Sequence, residues 1–440
     1  VTIEGNDVSG YARCGIGANG DADADLTDDP NAVIEGNIVT GPGVGVPVTW
    51  APNGIQIGYG ATGVISGNTV SGNDWLGTNW TGSGILVFAS NDVEVDGNTL
   101  QNNETGIAVG GSSSLTTSGT WIHDNTVDEN TYGIQIEDYV ANTTIKENIV
   151  QNSTYDGIDI CSFYDNPPTG TVIESNTIEN NSGTGIHIAS IDADSAVNIN
   201  YNSIVGNTKG VVNDSAVEID ATNNWWGDVA GPSIGTNPYD GKTSGDSVSD
   251  NVLYIPWLIQ GELNAGWNIW SFPIAVDEAT AEELFMAPLL EDNVEAAYFF
   301  DSTTQLWGNP DDAGPMDAIY VKMEEPATVR YSISSDATFP AQKEMKAGWN
   351  LVGLAELYAM DVNDALISIN LVAGDLTGYS HVSSPSLTGA PWIHFRGGDD
   401  SFTMLPTKGY WVFMVNDGVL GGFASTPIIE VSTPINEVAG

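Results

Sequence analysis

Short apolar strands separated by polar corners recur along the first half of the chain. Each unit alternates apolar and polar residues, continues through one or two polar residues to an asparagine, and then enters another short apolar segment, as in VTIEGNDV, AVIEGNIV and GVISGNTV. The alternation predicts β-strands that bury one face. The corner asparagines lie 21 to 31 residues apart and are Asn6, Asn37, Asn68, Asn98, Asn125, Asn148, Asn176 and Asn202, with the series ending near Asn223.

A second series is in phase with the first and consists of a glycine followed by an apolar-polar-apolar triplet. Strands this short are not stable as an isolated sheet. Coiling the chain stacks each strand on its equivalent one turn later, at about 4.8 Å per turn. The series therefore predicts a parallel β-helix over residues 1–235, with asparagine at corners because it tolerates the left-handed conformation and its amides can stack. The glycines are Gly54, Gly84, Gly106, Gly133, Gly157 and Gly185, with Gly210 as a weaker member.

These units resemble the parallel β-helix repeats of the pectate-lyase-like superfamily. The segment ATNNWWG at 221–227, followed by Gly231-Pro232, is similar to the last turn of many prokaryotic members. The resemblance implies a right-handed coil. It does not fix the function, because one fold supports many activities.

The chain changes character after residue 235. Residues 236–259 are rich in Gly, Ser and Asp and predict a linker. The segment LNAGWNI at 263–269 then recurs as MKAGWNL at 345–351, and AIYVKM at 318–323 recurs as GYWVFM at 409–414. This duplication predicts two β-rich modules, 260–340 and 341–440, each with a short helical stretch, and the whole chain is expected to be of the all-β class.

The duplicated modules resemble the GWN…GYWV-type modules of prokaryotic, in particular archaeal, cell-surface proteins. In each copy the Gly-Trp-Asn motif predicts a Trp buried after a tight turn. The alternative is an aromatic platform for a sugar.

The charge balance excludes several classes of partner. The chain has 10 Lys plus Arg against 58 Asp plus Glu, a formal net charge of −48. Nucleic acid and anionic lipid surfaces need clustered Lys and Arg, so neither is expected to bind. No apolar run reaches the length of a membrane span. Sequons of the N-x-[ST] type favour an extracellular surface, and the candidate glycosylation sites are Asn79, Asn103, Asn142, Asn152, Asn180 and Asn213.

An acidic loop near the N-terminus is the candidate metal site. Alternating carboxylates on an extended loop are the ligands that Ca²⁺ prefers. The glycine and the distal glutamate of an EF-hand loop are missing, so a solvated acidic loop is the alternative. The candidate ligands are Asp21, Asp23, Asp25, Asp28 and Asp29.

Candidate catalytic residues are sparse. Residues 1–235 contain only Arg13, Lys146 and Lys209 as cations, whereas a lyase of uronate polymers needs positive charge to bind its substrate. A hydrolase of a neutral glycan needs two carboxyl groups. The outward position of the glycine series stacks Gln135, Asp159 and His187, so Asp159 and His187 form a candidate acid/base pair. A solvated polar face is the alternative.

The two cysteines are predicted to be free thiols. Cys14 and Cys161 lie five turns apart in the alignment of the units, on the order of 24 Å at the usual strand spacing. A disulfide cannot bridge that distance within one β-helix.

The sequence favours a structural protein of a prokaryotic cell surface, such as a surface layer, sheath or extracellular filament. Its partners would be copies of itself and surface glycans, and Ca²⁺ would be its cofactor. The first strand unit begins at Val1, so we expect preceding residues or a neighbouring copy to cover that end of the β-helix. The alternative is a secreted carbohydrate-active enzyme or carbohydrate-binding protein that uses the flank of the β-helix.

We expect divalent cations to stabilise this protein, because bound Ca²⁺ relieves the repulsion within a chain of formal charge −48. Chelator titration at low ionic strength should lower the melting temperature, and added Ca²⁺ should restore it. An unchanged melting temperature would contradict the prediction.

Overall fold

The chain forms two compact units. One comprises Val1–Gly227, Gly231–Ile234 and Ser244–Trp257, and the other comprises Asp228–Ala230, Gly235–Thr243 and Leu258–Gly440. The structure is a computed structural model. It describes residues 1–21, 29–77, 80–192, 195–242, 245–276, 293–310, 314–336, 338–370, 378–384, 392–398 and 402–426.

The first unit is a parallel β-helix, as the sequence predicts, and it is right-handed, as the resemblance implies. Three long sheets form its walls. Each turn of the coil adds one strand to each sheet, and neighbouring strands pair in parallel. The first sheet contains β1 (Thr2–Glu4), β4 (Asn31–Glu35), β7 (Thr62–Ser66), β10 (Val93–Asp96), β14 (Trp121–His123), β18 (Thr144–Lys146), β21 (Thr171–Glu174), β24 (Val197–Asn200), β27 (Ile219–Asp220) and β30 (Val252–Leu253).

The other two sheets have eight strands each. The second contains β2 (Asp7–Ser9), β5 (Ile38–Thr40), β8 (Thr69–Ser71), β11 (Thr99–Gln101), β15 (Thr126–Asp128), β19 (Ile149–Gln151), β22 (Thr177–Glu179) and β25 (Ser203–Val205). The third contains β3 (Cys14–Asn19), β6 (Asn53–Gly58), β9 (Ser83–Phe88), β12 (Thr105–Gly110), β16 (Tyr132–Ile136), β20 (Ile158–Ile160), β23 (Thr184–Ile188) and β26 (Lys209–Asn213). Two short pairs flank them, β13 (Thr117–Ser118) with β17 (Val140–Ala141) and β28 (Pro232–Ser233) with β29 (Gly245–Ser247).

Columns of branched aliphatic side chains fill the interior of the coil. In the second sheet, Val70, Leu100 and Val127 stack in register on successive turns and are fully buried. Trp226 is fully buried beside the last strand of the third sheet, where it approaches Gly210, in keeping with a cover over the end of the core. Cys14 and Cys161 are free, and β3 and β20 are five strands apart, as predicted.

Stacked asparagine amides form the corner between the first and second sheets. At Asn68, the backbone N–H and the Nδ2 amide both donate to Oδ1 of Asn98, each at 2.9 Å, and Nδ2 also donates to the carbonyl oxygen of Ile34 at 2.9 Å. The pattern repeats from Asn6 to Asn202 and ends at Asn224 rather than at Asn223. All members from Asn37 onward are buried.

The ladder asparagines do not themselves take the left-handed conformation, which corrects the prediction. The residue before each of them does so, as Gly36 and Gly67 show with φ of 62° and 60°. Asparagine occupies the corner because its side chain supplies both a donor and an acceptor to buried backbone groups that have no strand partner.

A second amide ladder, which the sequence reading missed, lies five residues after the first. Asn73, Asn103 and Asn130 stack in the same manner, and Ser153 interrupts the series. The series resumes and ends at Asp246, whose carboxylate accepts from the backbone N–H and Nδ2 of Asn207 at 2.9 and 2.8 Å. Burial raises the pKa of Asp246.

The prediction of a linker over residues 236–259 is therefore wrong for its second half. Residues 245–257 belong to the β-helix unit, because β29 carries Asp246 and β30 pairs with β27 in the first sheet. The composition of this segment is loop-like, but its hydrogen bonds close the last turn.

The second unit contains the same arrangement of strands twice. The first copy has the pair β31 (Leu258–Leu263) and β36 (Ala327–Ser332) and the sheet β32 (Gly266–Ser271), β35 (Ala318–Met323), β33 (Val294–Asp301) and β34 (Leu306–Gly308). The second copy has the pair β37 (Gln342–Met345) and β44 (Gly418–Gly421) and the sheet β38 (Gly348–Gly353), β43 (Gly409–Met414), β40 (Tyr379–Ser384) and β41 (Trp392–Phe395). A further pair joins β39 (Met360–Asp361) to β42 (Thr403–Met404), and the predicted helical stretch at 362–369 forms α1 (Val362–Ala365) and a 3-10 turn (Ile367–Ile369).

The two copies share a core, so they form one compact unit rather than two separate modules. Ile269 and Phe300 of the first copy cluster with Leu351 of the second. The helical stretch predicted at 279–285 lies outside the described residues. The Trp of each Gly-Trp-Asn motif was predicted to be buried, and this prediction is wrong: Trp267 is 40% exposed and Trp349 is 36% exposed.

We expect Asn148→Ala to lower the free energy of unfolding by about 2–4 kcal/mol, because it leaves buried donors and acceptors of the ladder unpaired. Asn148 receives two hydrogen bonds from Asn125 and donates to Ile122, Lys146 and Asn176. Asn198→Ala, at an exposed position of β24, is the matched control and should change stability by less than about 0.5 kcal/mol. Urea unfolding of both variants measures the difference, and equal effects would exclude a special role for the ladder.

Candidate functional site

A stack of polar side chains lies on the outer face of the third sheet. Gln135, Asp159 and His187 stand opposite one another on β16, β20 and β23, as the sequence predicts. Val212 of β26 takes the next position in the stack. Parallel strands without register shifts hold these side chains about 5 Å apart.

His187 is surrounded by carboxylates. Its Nδ1 lies 3.0 Å from Oδ1 of Asp159 and 3.6 Å from Oδ2 of Asp156, and its Nε2 lies 3.2 Å from Oδ2 of Asp214. The hydrogen bond with Asp159 is the main cause that raises the pKa of His187 to about 9, against the opposing effect of burial. The ring is therefore an imidazolium at neutral pH.

The Asp159 carboxylate is held in one orientation from two sides. It is only 7% exposed, and its Oδ2 accepts from Nε2 of Gln135 at 3.2 Å while its Oδ1 faces His187. The Gln135 amide is fixed in turn, because its Oε1 accepts from the Thr105 hydroxyl at 2.6 Å. These contacts hold the Asp159 carboxylate in place beside the His187 ring.

Glu137 lies on the same face, two residues beyond Gln135, and has the opposite protonation behaviour. Burial, followed by the charges of Asp138 and Asp159, raises the pKa of Glu137 to about 7. Its carboxyl group packs over Gly110 of the preceding turn, where a Cβ would lie 3.3 Å from Oε2. Near neutral pH, Glu137 is therefore protonated in a large fraction of the molecules.

The two carboxyl groups of Asp159 and Glu137 are diagonal neighbours across adjacent strands. Ile136 pairs with Ile160, which places Glu137 beyond Gln135, the partner of Asp159. Diagonal neighbours on a sheet lie about 7–8 Å apart. Two neighbouring carboxyl groups whose environments separate their pKa values can act as an acid and a base.

Two tyrosines border this polar cluster. The rings of Tyr132 and Tyr155 stack with centroids 5.3 Å apart at 15° between their planes, and Asp156 follows Tyr155 directly. Tyr155 is exposed. The arrangement places an aromatic surface beside the carboxyl groups of Asp156 and Asp159. Such a surface suits a ligand with both apolar and hydroxylated faces.

A second histidine cluster lies on the first sheet. His123 is buried, with Nε2 3.1 Å from Oε1 of Glu94 and Nδ1 2.8 Å from Oδ2 of Asp124. The ring of Trp121 stacks on it at 3.7 Å, and hydrogen bonds to the carboxylates raise the pKa of His123 although burial lowers it. The His123 ring thus pairs with the carboxylates of Glu94 and Asp124.

Both histidine clusters bring three potential metal-ligand atoms within reach of one another. In both clusters the imidazole and the carboxylates form hydrogen-bond networks.

The predicted calcium loop is described only at its two ends. The backbone N–H of Asp21 donates to Oδ1 of Asp29 at 3.1 Å, and Oδ2 of Asp29 is buried without a hydrogen-bond partner. Asp23, Asp25 and Asp28 lie outside the described residues. Calcium binding at this loop stays a prediction.

Two of the predicted glycosylation sites are contradicted by their surroundings. Asn103 and Asn213 are buried, and their amides donate to Asn130 and to the carbonyl oxygen of Val217. An attached glycan would remove these bonds and has no room. Asn79 lies outside the described residues, and the sites that are exposed and stay predictions are Asn142, Asn152 and Asn180.

Sequence reasoning identified Asp159 and His187 but missed Glu137 and Asp214. Extending the alternation of the glycine unit by two residues beyond Gln135 would have placed Glu137 on the outer face. The same extension beyond Val212, the register partner of His187, would have placed Asp214 on the outer face.

Residues 1–167 match a family model described as right handed beta helix region. Comparison with curated proteins gives no significant match. Similar solved structures include the A-module of the mannuronan C-5 epimerase AlgE4 from Azotobacter vinelandii, which is 17% identical, with 49% of this chain and 54% of that chain covered and a TM-score of 0.35.

Two further structures show a comparable level of similarity. The periplasmic alginate epimerase AlgG is 18% identical, with 52% of this chain and 61% of that chain covered and a TM-score of 0.36. This chain thus spans little more than half the length of the two epimerase chains. A tailspike protein of Acinetobacter baumannii bacteriophage Fri1, a capsular polysaccharide depolymerase, is 10% identical, with 88% of this chain and 72% of that chain covered and a TM-score of 0.36.

The helices in the described part of the chain are too short and too polar to cross a bilayer.

We expect the pH dependence of stability to change in His187→Gln. The folded state raises the pKa of His187 from 6.5 to about 9, so its contribution is complete below pH 6.5 and is lost as the pH rises towards 9. Relative to the variant, the wild-type protein should lose on the order of 2–3 kcal/mol of unfolding free energy across that interval. Parallel stability curves for the two proteins, measured by urea unfolding from pH 6 to 10, would contradict the assignment.

Proposed function

We propose that this protein is an extracellular carbohydrate-active enzyme that hydrolyses a glycan of low negative charge on the outer face of the third sheet. Glu137 acts as the general acid and Asp159 as the general base. The observation that carries the proposal is a pair of neighbouring carboxyl groups in different surroundings: Glu137, whose pKa burial raises to about 7, and Asp159, whose carboxylate contacts the His187 ring and the Gln135 amide.

The geometry suits a direct displacement by water. Glu137 transfers its proton to the glycosidic oxygen as the bond to the anomeric carbon breaks. Asp159 accepts a proton from a water molecule whose oxygen forms the new bond to that carbon. In inverting glycosidases the two carboxyl groups lie about 6.5–9.5 Å apart, which leaves room for this water, and diagonal positions on adjacent strands are compatible with such a separation.

His187 is a positioning residue in this scheme. Its Nδ1 contacts the Asp159 carboxylate, and Asp214 orients the ring from the other side through Nε2. The positive charge on His187 also offsets part of the repulsion among Asp156, Asp159 and Asp214.

The substrate class follows from charge and from the aromatic border. The chain carries a formal net charge of −48, and Arg13, Lys146 and Lys209 are the only Lys or Arg residues in 1–235. Such a surface repels polyuronates and other anionic polymers. The stacked Tyr132 and Tyr155 offer a surface for uncharged sugar rings next to the carboxyl groups.

This proposal replaces the surface-assembly role favoured by the sequence. That role rested on an acidic surface nearly free of Lys and Arg, on the apparent lack of a complete catalytic set in the β-helix and on the duplicated modules of cell-surface type. In this proposal Glu137 supplies the second carboxyl group, which removes the second of these arguments. Self-association and archaeal origin have no support in the observations above and do not form part of the proposal.

We expect Asp159→Asn and Glu137→Gln each to reduce kcat by about 10²–10⁴-fold on a neutral polysaccharide, as for loss of a general acid or base. Release of reducing ends from a panel of neutral polysaccharides identifies the substrate. Glu35→Gln, at an exposed position of β4, is the matched control and should retain full activity.

The wild-type pH profile should lose activity as the pH rises through about 7, where Glu137 loses its proton. Unchanged activity in both carboxyl variants would overturn the proposal, as would failure of the wild-type protein to cleave any polymer of the panel.

A further inference from the structure

Aromatic side chains form a continuous exposed surface on the second unit, far richer in rings than a protein surface usually is. We call this surface the aromatic ridge and define it by Trp267, Tyr298, Trp307, Tyr320, Trp349 and Trp411. Each ring contacts at least one other ring of the ridge. The contacts extend from the first copy of the duplicated arrangement into the second.

The duplication itself generates the ridge. Trp267 and Trp349 occupy the same place in the two Gly-Trp-Asn motifs, on β32 and β38. Tyr320 and Trp411 occupy the same place on β35 and β43, which pair with those strands. Because the two sheets lie in one compact unit, equivalent aromatic faces meet at Trp411.

Trp411 lies at the centre of the ridge. Its ring centroid is 5.9 Å from that of Trp307, 6.4 Å from that of Tyr320 and 6.1 Å from that of Trp349. Its indole N–H donates to the Tyr320 hydroxyl at 2.9 Å. These contacts immobilise the centre, while the rings around it remain open to solvent.

A cavity of about 310 Å³ opens between the rings of the two copies. Its lining consists of Phe300, Trp307, Trp349, Ser383 and Trp411 and carries no charged side chain. Trp307, at its edge, is 51% exposed. Aromatic groups left open around a cavity point to a ligand site rather than to core packing.

We propose that the aromatic ridge is a binding site for a neutral glycan chain. Sugar rings present an apolar C–H face and a hydroxylated edge, and Trp and Tyr match both with a flat ring and a polar N–H or O–H group. The ridge repeats this combination at intervals of about 6 Å. Neighbouring rings are inclined at 73°, 40° and 86° to one another, so a bound chain can stack on some ring faces and contact other rings at their edges.

The charges around the ridge disfavour nucleic acid and anionic glycans, which also stack on aromatic rings. Single-stranded nucleic acid combines stacking with a positively charged groove. The lysines beside the ridge are already paired: Lys322 lies 2.6 Å from Glu295, and Lys346 lies 3.1 Å from Glu344. Anionic glycans would lack cationic partners for the same reason.

The proposal does not depend on the hydrolytic activity, because the ridge and the Asp159 site lie on different units. The test uses the full chain and a panel of soluble neutral hexasaccharides, namely cello-, manno-, xylo-, malto- and chitohexaose. Titration calorimetry measures binding, and Trp fluorescence provides a second signal. We expect at least one member to bind, and Trp307→Ala and Trp349→Ala to weaken its binding about tenfold or more, which corresponds to ~1.4 kcal/mol.

Two controls separate stacking from folding and from catalysis. Trp121→Ala removes a 44% exposed Trp on the β-helix and should leave binding unchanged, whereas Trp307→Tyr should retain most of the affinity because it preserves a stacking ring. Asp159→Asn should abolish hydrolysis without changing ridge affinity. Conversely, the ridge variants should still cleave short soluble substrates. Failure of the hydrolysis proposal can therefore be distinguished from failure of the glycan-binding proposal.

Several results would overturn the proposal. They are the absence of binding by the whole panel, undiminished affinity in a Trp307→Ala/Trp349→Ala double variant, and binding of alginate oligomers in preference to neutral ones. A ridge-dependent dimer in sedimentation velocity without glycan binding would likewise assign the surface to a second copy of the chain.

Discussion

A β-helix must turn a corner three times in every coil, and its inward corners bury backbone groups that have no strand partner. An unpaired buried amide or carbonyl costs about 1–3 kcal/mol, and that cost would recur on every turn. The asparagine ladder removes it, because each side chain accepts two hydrogen bonds and donates to the backbone of another turn. The ladder also fixes the register in which the outer faces stack.

The polar site on the outer face of the third sheet depends on that register. A shift of one residue in any strand would turn its inward side chains outward. Asp159 meets Gln135 and His187 only because three successive strands stack without a bulge. A site built on stacked strands is held along the strand and along the axis of the coil, so the carboxyl groups of Glu137 and Asp159 remain neighbours.

The sequence was sufficient for elements that repeat and insufficient for elements that occur once. The recurring asparagines and glycines predicted the β-helix and the stacking of Asp159 on His187, because repetition reveals period and face. Asp246 closes the second ladder from a segment of linker-like composition, where a carboxylate takes the place of the asparagine of other turns. No repeat in the sequence predicts it. The exposure of Trp267 depends on packing between strands distant in sequence, which a local motif does not encode.

The ladders also give the β-helix an electrical direction. Backbone dipoles alternate along the strands of a sheet and largely cancel. The side-chain amides do not, since each donates toward the following turn, so their positive ends all point toward the C-terminal end of the coil. The carboxylate of Asp246 lies at that positive end of the second ladder. The arrangement is the counterpart of an anion at the N-terminus of an α-helix, achieved in a fold that contains no helix along its axis.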